Sequence, residues 1–170
     1  LTLQGLLPGM TKTPLAFHVL AAVLFLGPVT VAIPTFQTQA VKAQAGDTRA
    51  AGAASVLHKL TNVYGMLAAL VPLLGVGIMM TDSAYWSDGR FHIAITLAVI
   101  AWLILLLLII PRQKKMMGSL GLLDAADHDP ESDVLPAEKF DKTKSQLSMF
   151  GGIFSLLWVI MLILMYWSPF

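Results

Sequence analysis

The chain contains no cysteine in its 170 residues. Disulfides, thiolate nucleophiles and thiolate metal centres are thereby excluded, and any metal would need His, Met or carboxylate ligands. Charge is scarce as well. Only 12% of residues are Asp, Glu, Lys or Arg, where soluble domains carry about a quarter. The 11 basic residues nearly cancel the 10 acidic ones, leaving a net charge of +1. No basic stripe of the kind that holds nucleic acid results, so no nucleic-acid partner is expected. Also missing are a phosphate-binding loop, a zinc-protease helix and a nucleophile elbow. The longest apolar runs contain no Asp, Glu, Lys or Arg, which leaves no stepping stones for a proton or ion relay.

What remains is apolar: 56% of the chain is hydrophobic. Four runs, at 14–35, 62–81, 91–111 and 146–167, match the roughly 20 residues a helix needs to cross a bilayer. Backbone groups in hydrocarbon must be satisfied within the segment, and runs without strand alternation do so as helices. The predicted fold is all-α: one polytopic domain over 1–170, a bundle of four transmembrane helices, with loops at 36–61 and 112–145. Pro28, Pro34 and Pro72 are expected to bend their helices. The first span is read as retained, because no small-residue cleavage site follows it.

Loop charge sets the expected orientation. Lys42, Arg49 and Lys59 lie in the first loop, and Arg112, Lys114, Lys115, Lys139, Lys142 and Lys144 in the third. Lys12 and Arg90 are the cations left for the opposite side. Both termini are therefore predicted to face outward, away from the cytoplasm. The first loop is expected to extend two helices around a turn near Gly46. In the third loop, a basic amphiphilic part suits an anionic leaflet, and an acidic part over 124–141 reads as solvated or as a docking strip. His128 in that part is expected to be solvated. Trp86, Trp167, Tyr85 and Tyr166 read as interfacial anchors, with Trp158 set deeper in its span.

The first and third spans open alike, "FHVLAAVL" from Phe17 and "FHIAITLAV" from Phe91, and both close on Ile-Pro. The echo reads either as a repeated two-helix unit or as a chance likeness of apolar runs. It predicts that His18 and His92 lie at equivalent depth and face one interhelical space in the outer half. Met79, Met80, Met161 and Met165 arrive at that level on the other two helices. Two imidazoles suit haem b; with the soft thioethers of Met80 and Met165 they suit copper. The plainer alternatives are a satisfied packing histidine at His18, an interfacial one at His92 and methionines that only pack. His58, which shares a face with Asn62, reads as an interfacial cap. Small residues at Gly65, Ala68, Ala69, Gly75 and Gly77, and at Ala94, Ala98 and Ala101, describe helix-packing surfaces.

The runs "FHVLAAVLFLGPVTVA" and "LHKLTNVYGMLAALVPLLGVGIMM", followed by Trp86 and a third span ending in "IIPRQ", resemble an uncharacterised bacterial family of predicted four-span integral membrane proteins. That family is distantly similar to the membrane part of copper-resistance D-type proteins. The resemblance spans about the first 115 residues. It implies the four-helix fold and a bacterial cytoplasmic membrane, and it draws attention to His18. Two functions are expected. One is a non-catalytic accessory or assembly subunit packing against other integral subunits of a larger, respiratory complex. The other is a haem- or copper-binding membrane protein using His18 and His92 near the outer face.

Overall fold

A computed structural model describes residues 12–127 and 135–167. His128 and part of the acidic segment lie outside the described residues. The chain is all-helical, with no strand among the described residues. Four helices are long and apolar enough to cross a membrane. They are α1 (Thr13–Gln44), α2 (Thr48–Met79), α4 (Gly89–Ser119) and α5 (Ala137–Tyr166). A short helix, α3 (Ser83–Ser87), connects α2 to α4.

The helices run beyond the apolar limits because their flanks are rich in Ala, Gln, Lys and Met, which favour helix even when solvated. α1 therefore continues to Gln44, and Gly46, at φ +98°, supplies the left-handed backbone that reverses the chain. Asp47 then caps α2 by accepting hydrogen bonds from the backbone N–H of Arg49 and Ala50. Asp82 caps α3 and Asp88 caps α4 in the same way.

Proline leaves a mark on three helices. In α1 a π turn over Ala22–Leu26 comes just before Pro28. In α4 a π turn over Leu105–Ile109 comes just before Pro111. Widening the turn makes room for a ring that would otherwise press on the carbonyl four residues back. In α2 the regular helix is interrupted at Ala68 and Ala69, where the Ala68 carbonyl that Pro72 cannot serve accepts from Val71 N–H instead. The first π turn follows close after His18, whereas the second lies deep in α4, far from His92. The helices that open alike in sequence are thus not built alike.

The chain runs back and forth, so the molecule has a His18 end and a His58 end. At the His58 end, α1 packs on α2, α4 and α5. Gly151 lets α5 approach α1 so closely that a Cβ there would meet Ile33 Cγ2 at 2.8 Å. Phe36, Leu105, Ile109, Met116, Phe140 and Leu147 are fully enclosed there and along the middle. At the His18 end, the first part of α1 packs chiefly on α2 and makes no extensive contact with α4 or α5. That separation creates the site.

Candidate functional site: a chamber beside His18

Where α1 parts from α4 and α5, the facing residues are small. Ala22 and Gly27 on α1, Gly75 on α2, and Ala94 and Ala98 on α4 leave an apolar chamber of about 430 Å³. Trp158, Met161 and Met165 of α5 form the opposite wall. A second chamber of about 380 Å³, reaching toward Tyr85 and Asp88, shares His18, Gly75, Ala94, Ile95 and Met165 with the first. His18 therefore stands on the wall common to both. The π turn contributes Ala22, Val23 and Leu26 to the larger chamber, in keeping with the tendency of π turns to occur at functional sites.

His18 is 8% exposed. The Nδ1 edge of its ring lies against α2 near Gly75, where an added Cβ would come within 3.4 Å of Cε1 and 3.8 Å of Nδ1. The Val71 backbone stands beside the ring as its hydrogen-bond partner, at a geometry too loose for a full hydrogen bond to the enclosed Nδ1. Across the chamber, Trp158 packs edge-on against Phe154 at 6.1 Å between ring centroids, and its buried Nε1–H also lacks an acceptor. Leaving a buried donor unmatched costs about 1–3 kcal/mol, and both nitrogens are enclosed by protein rather than open to the chamber.

The expectation that His18 and His92 face one interhelical space is corrected by the azimuth of His92. The stripe of α4 turned toward the chambers is Phe91, Ala94, Ile95 and Ala98. His92 is about 100° around the helix from Phe91 and belongs to the exposed stripe with Thr96, Val99 and Leu103. Its Nδ1–H donates to the Asp88 carbonyl at 3.3 Å, and its ring meets Trp86 edge-on at 5.8 Å. Met80 is 72% exposed and lines neither chamber. Met165 lines both, and Met161 lines the larger. Of the four residues predicted as ligands, His18 and Met165 are thus the two brought to a common space. Among the described residues, no group of three His, Cys, Asp or Glu could hold a metal ion.

The rim of the smaller chamber is rigidly tied. Arg90 grips Asp88 at 2.6 Å and donates to the Trp167 carbonyl at 3.2 Å, and this guanidinium holds the Asp88 carboxyl below its usual range. Tyr85 stacks edge-on against Phe91 at 4.9 Å.

The His58 end holds a polar relay that the sequence did not disclose. His58 Nδ1–H donates to Gln113 Oε1 at 3.2 Å, Gln113 Nε2 donates to Thr61 Oγ1 at 3.3 Å, and Thr61 Oγ1 donates to the Leu57 carbonyl at 2.9 Å. All three side chains are buried, whereas Asn62 is exposed. His58 is thus part of an interhelical network rather than a cap beside Asn62. Its partner lies 55 residues away, beyond the reach of any local pattern. Nearby, Ser148 donates to Gln37 Oε1, and Arg112 donates to Gln146 Oε1 while its guanidinium lies 4.5 Å from the centre of the Phe150 ring.

Comparison with family models, curated proteins and solved structures gives no match. The functional reading therefore rests on the residues themselves.

Proposed function

We propose that this chain is a multi-pass protein of the bacterial cytoplasmic membrane, a four-helix bundle that holds an uncharged lipid-soluble molecule in its outer half. The observation that carries this reading is the apolar chamber of about 430 Å³ itself, lined by His18, Trp158 and small residues of α1, α2 and α4. Concave, largely apolar spaces with a few polar groups are the usual form of small-molecule sites. Among the described residues no array of nucleophile, base and acid lines it, which supports binding or presentation as its role. Loop charge supports an orientation with both termini, and with them the chamber, on the outer face.

The test is to purify the protein gently from its native membrane, extract it and analyse the extract by mass spectrometry, with a visible spectrum taken beforehand. An apolar molecule near one per chain is expected, and its loss on Ala98→Phe ties it to the chamber. Extracts matching bulk membrane lipid would overturn the reading. A Soret band would instead return haem to the account, with His18 as its one chamber imidazole. Orientation is testable because the chain has no cysteine of its own: Ser83→Cys should react with an impermeant maleimide in intact cells, and Ala45→Cys should not.

A second reading, the accessory subunit of a larger respiratory complex, is favoured by a different feature. A groove of about 240 Å³ runs between α1 and α5, lined by Ile33, Pro34, Gln37, Ser148, Gly151, Gly152 and Ser155. Ser148 and Gly152 are exposed, and small or weakly polar residues of this kind let another helix approach closely. Co-purification of an integral partner, lost on Gly152→Leu, is the expected outcome. Release as a lone monomer would count against it.

A further inference from the structure

We propose that the groove between α1 and α5 seats an anionic phospholipid of the leaflet at the His58 end, with its phosphodiester held by Gln37 and Lys144 and one acyl chain lying over Gly152. The site is independent of the chamber beside His18, and it puts a lipid where the accessory-subunit reading puts a helix.

The groove has donors to spare and is short of acceptors. Gln37 is 7% exposed. Its Oε1 accepts from Ser148, and no acceptor among the described residues answers its Nε2. That nitrogen is not walled in, unlike His18 Nδ1 and Trp158 Nε1, so its remaining surface belongs to the groove that Gln37 lines. A largely buried amide N–H in that position calls for an acceptor from outside the chain. No carboxylate lines the groove.

The charge comes from the same face of α5. Lys144 precedes Ser148, Gly151 and Ser155 at the spacing of one helix face, and stands about 6 Å nearer the helix start than Ser148. It is partly buried and, among the described residues, belongs to no ion pair. Asp141, a turn further out on that face, is exposed and is not paired with it. Arg112 is engaged elsewhere, with the Leu108 carbonyl, Gln146 and Phe150.

Depth selects the class of ligand. Gln37 and Ser148 lie at the edges of the apolar runs 14–35 and 146–167, the level of phosphodiester and ester groups, and Ile33, Gly151, Gly152 and Ser155 continue the groove inward. A Cβ added at Gly152 would meet nothing within 4 Å, so the recess over it has room for an acyl chain. A phospholipid at this level brings oxygen acceptors for Gln37 and a negative charge for Lys144. A transmembrane helix brings backbone groups already satisfied within itself.

The experiment uses the full chain, delipidated in a nonionic detergent. Short-chain phosphatidylglycerol, phosphatidylcholine and diacylglycerol with the same acyl groups are titrated, together with inorganic phosphate, and bound molecules are counted by native mass spectrometry. Phosphatidylglycerol should bind as a single molecule per chain, about fivefold more tightly than phosphatidylcholine, the effect of one lysine near an anionic headgroup. Diacylglycerol should bind more weakly than either. Gln37→Glu keeps an acceptor for Ser148 and removes the free N–H groups; it should weaken both phospholipids about tenfold. Lys144→Gln should abolish the preference for phosphatidylglycerol, Lys144→Arg should keep it, and Asp141→Asn should strengthen it. Gly152→Leu should exclude all three lipids without lowering the melting temperature of the lipid-free protein. Helical content and melting of the other variants separate loss of fold from loss of contact.

Equal binding of phosphatidylglycerol and diacylglycerol, untouched by Gln37→Glu and Lys144→Gln, overturns the proposal. Saturation of the site by inorganic phosphate alone also overturns it, in favour of a free-phosphate site. An integral partner protein held at the groove and released by Gly152→Leu, with no selective lipid, overturns it in favour of the accessory reading. The chamber reading is tested separately by Ala98→Phe, so the two can fail independently.

Discussion

At the His58 end the space between helices is filled by Phe36, Ile109, Met116, Phe140 and Leu147, whereas at the His18 end the corresponding walls include Ala22, Gly75, Ala94 and Ala98. The polar groups divide in the same way. His58, Gln113 and Thr61 satisfy one another across α2 and α4, while His18 Nδ1 and Trp158 Nε1 are enclosed without a well-formed hydrogen bond. One chain thus holds a half whose core is closed and self-satisfied and an open half with unmet hydrogen-bonding capacity. Small residues play opposite parts in the two. Gly151 brings α5 against Ile33, but Ala94 and Ala98 face an opening because the first part of α1 follows α2 instead of α4 or α5.

The comparison is most severely strained by overfilling the closed half. Gly151→Leu drives a side chain into Ile33, 2.8 Å from the new Cβ, and should lower the unfolding free energy in detergent by about 3 kcal/mol. A loss below about 1 kcal/mol would show that this half is looser than described. Next, Gln113→Leu keeps the volume but strands His58 Nδ1–H and removes the donor to Thr61, whose hydroxyl keeps its bond to the Leu57 carbonyl. A loss of about 2 kcal/mol is expected in the same assay, and a neutral result would mean that water already serves those groups. Arg112→Ala removes the contact with Phe150 and the bond to Gln146, for an expected loss of about 1 kcal/mol. Smallest is Lys59→Ala. The Lys59–Asp124 pair is 3.4 Å apart with both side chains about 70% exposed, and its loss should change stability by less than about 0.5 kcal/mol, less still at high salt.

The helices were legible because length and hydropathy are local properties, and so was the Gly46 turn, where one residue type supplies the required backbone. Trp158 stood out in the sequence for its depth. The azimuth of His92 was not legible, since a single residue step turns a side chain by about 100°, and the echo with His18 constrained depth alone. Gln113 lies in the stretch read as the basic amphiphilic part of the third loop, and its burial depends on how α2 and α4 meet. The chamber itself was hidden by an ambiguity of alanine: the same small residue marks a close approach when a neighbour arrives and a cavity when it does not.

The central claim, that the His18 half is open to receive a molecule, is tested most directly by the melting temperature of delipidated Ala98→Phe protein. Ala98 is buried on the chamber wall, so a phenyl ring entering open space should raise stability by about 0.5–2 kcal/mol. A fall of about 1–3 kcal/mol, the usual result of forcing a ring into a packed core, would contradict the account.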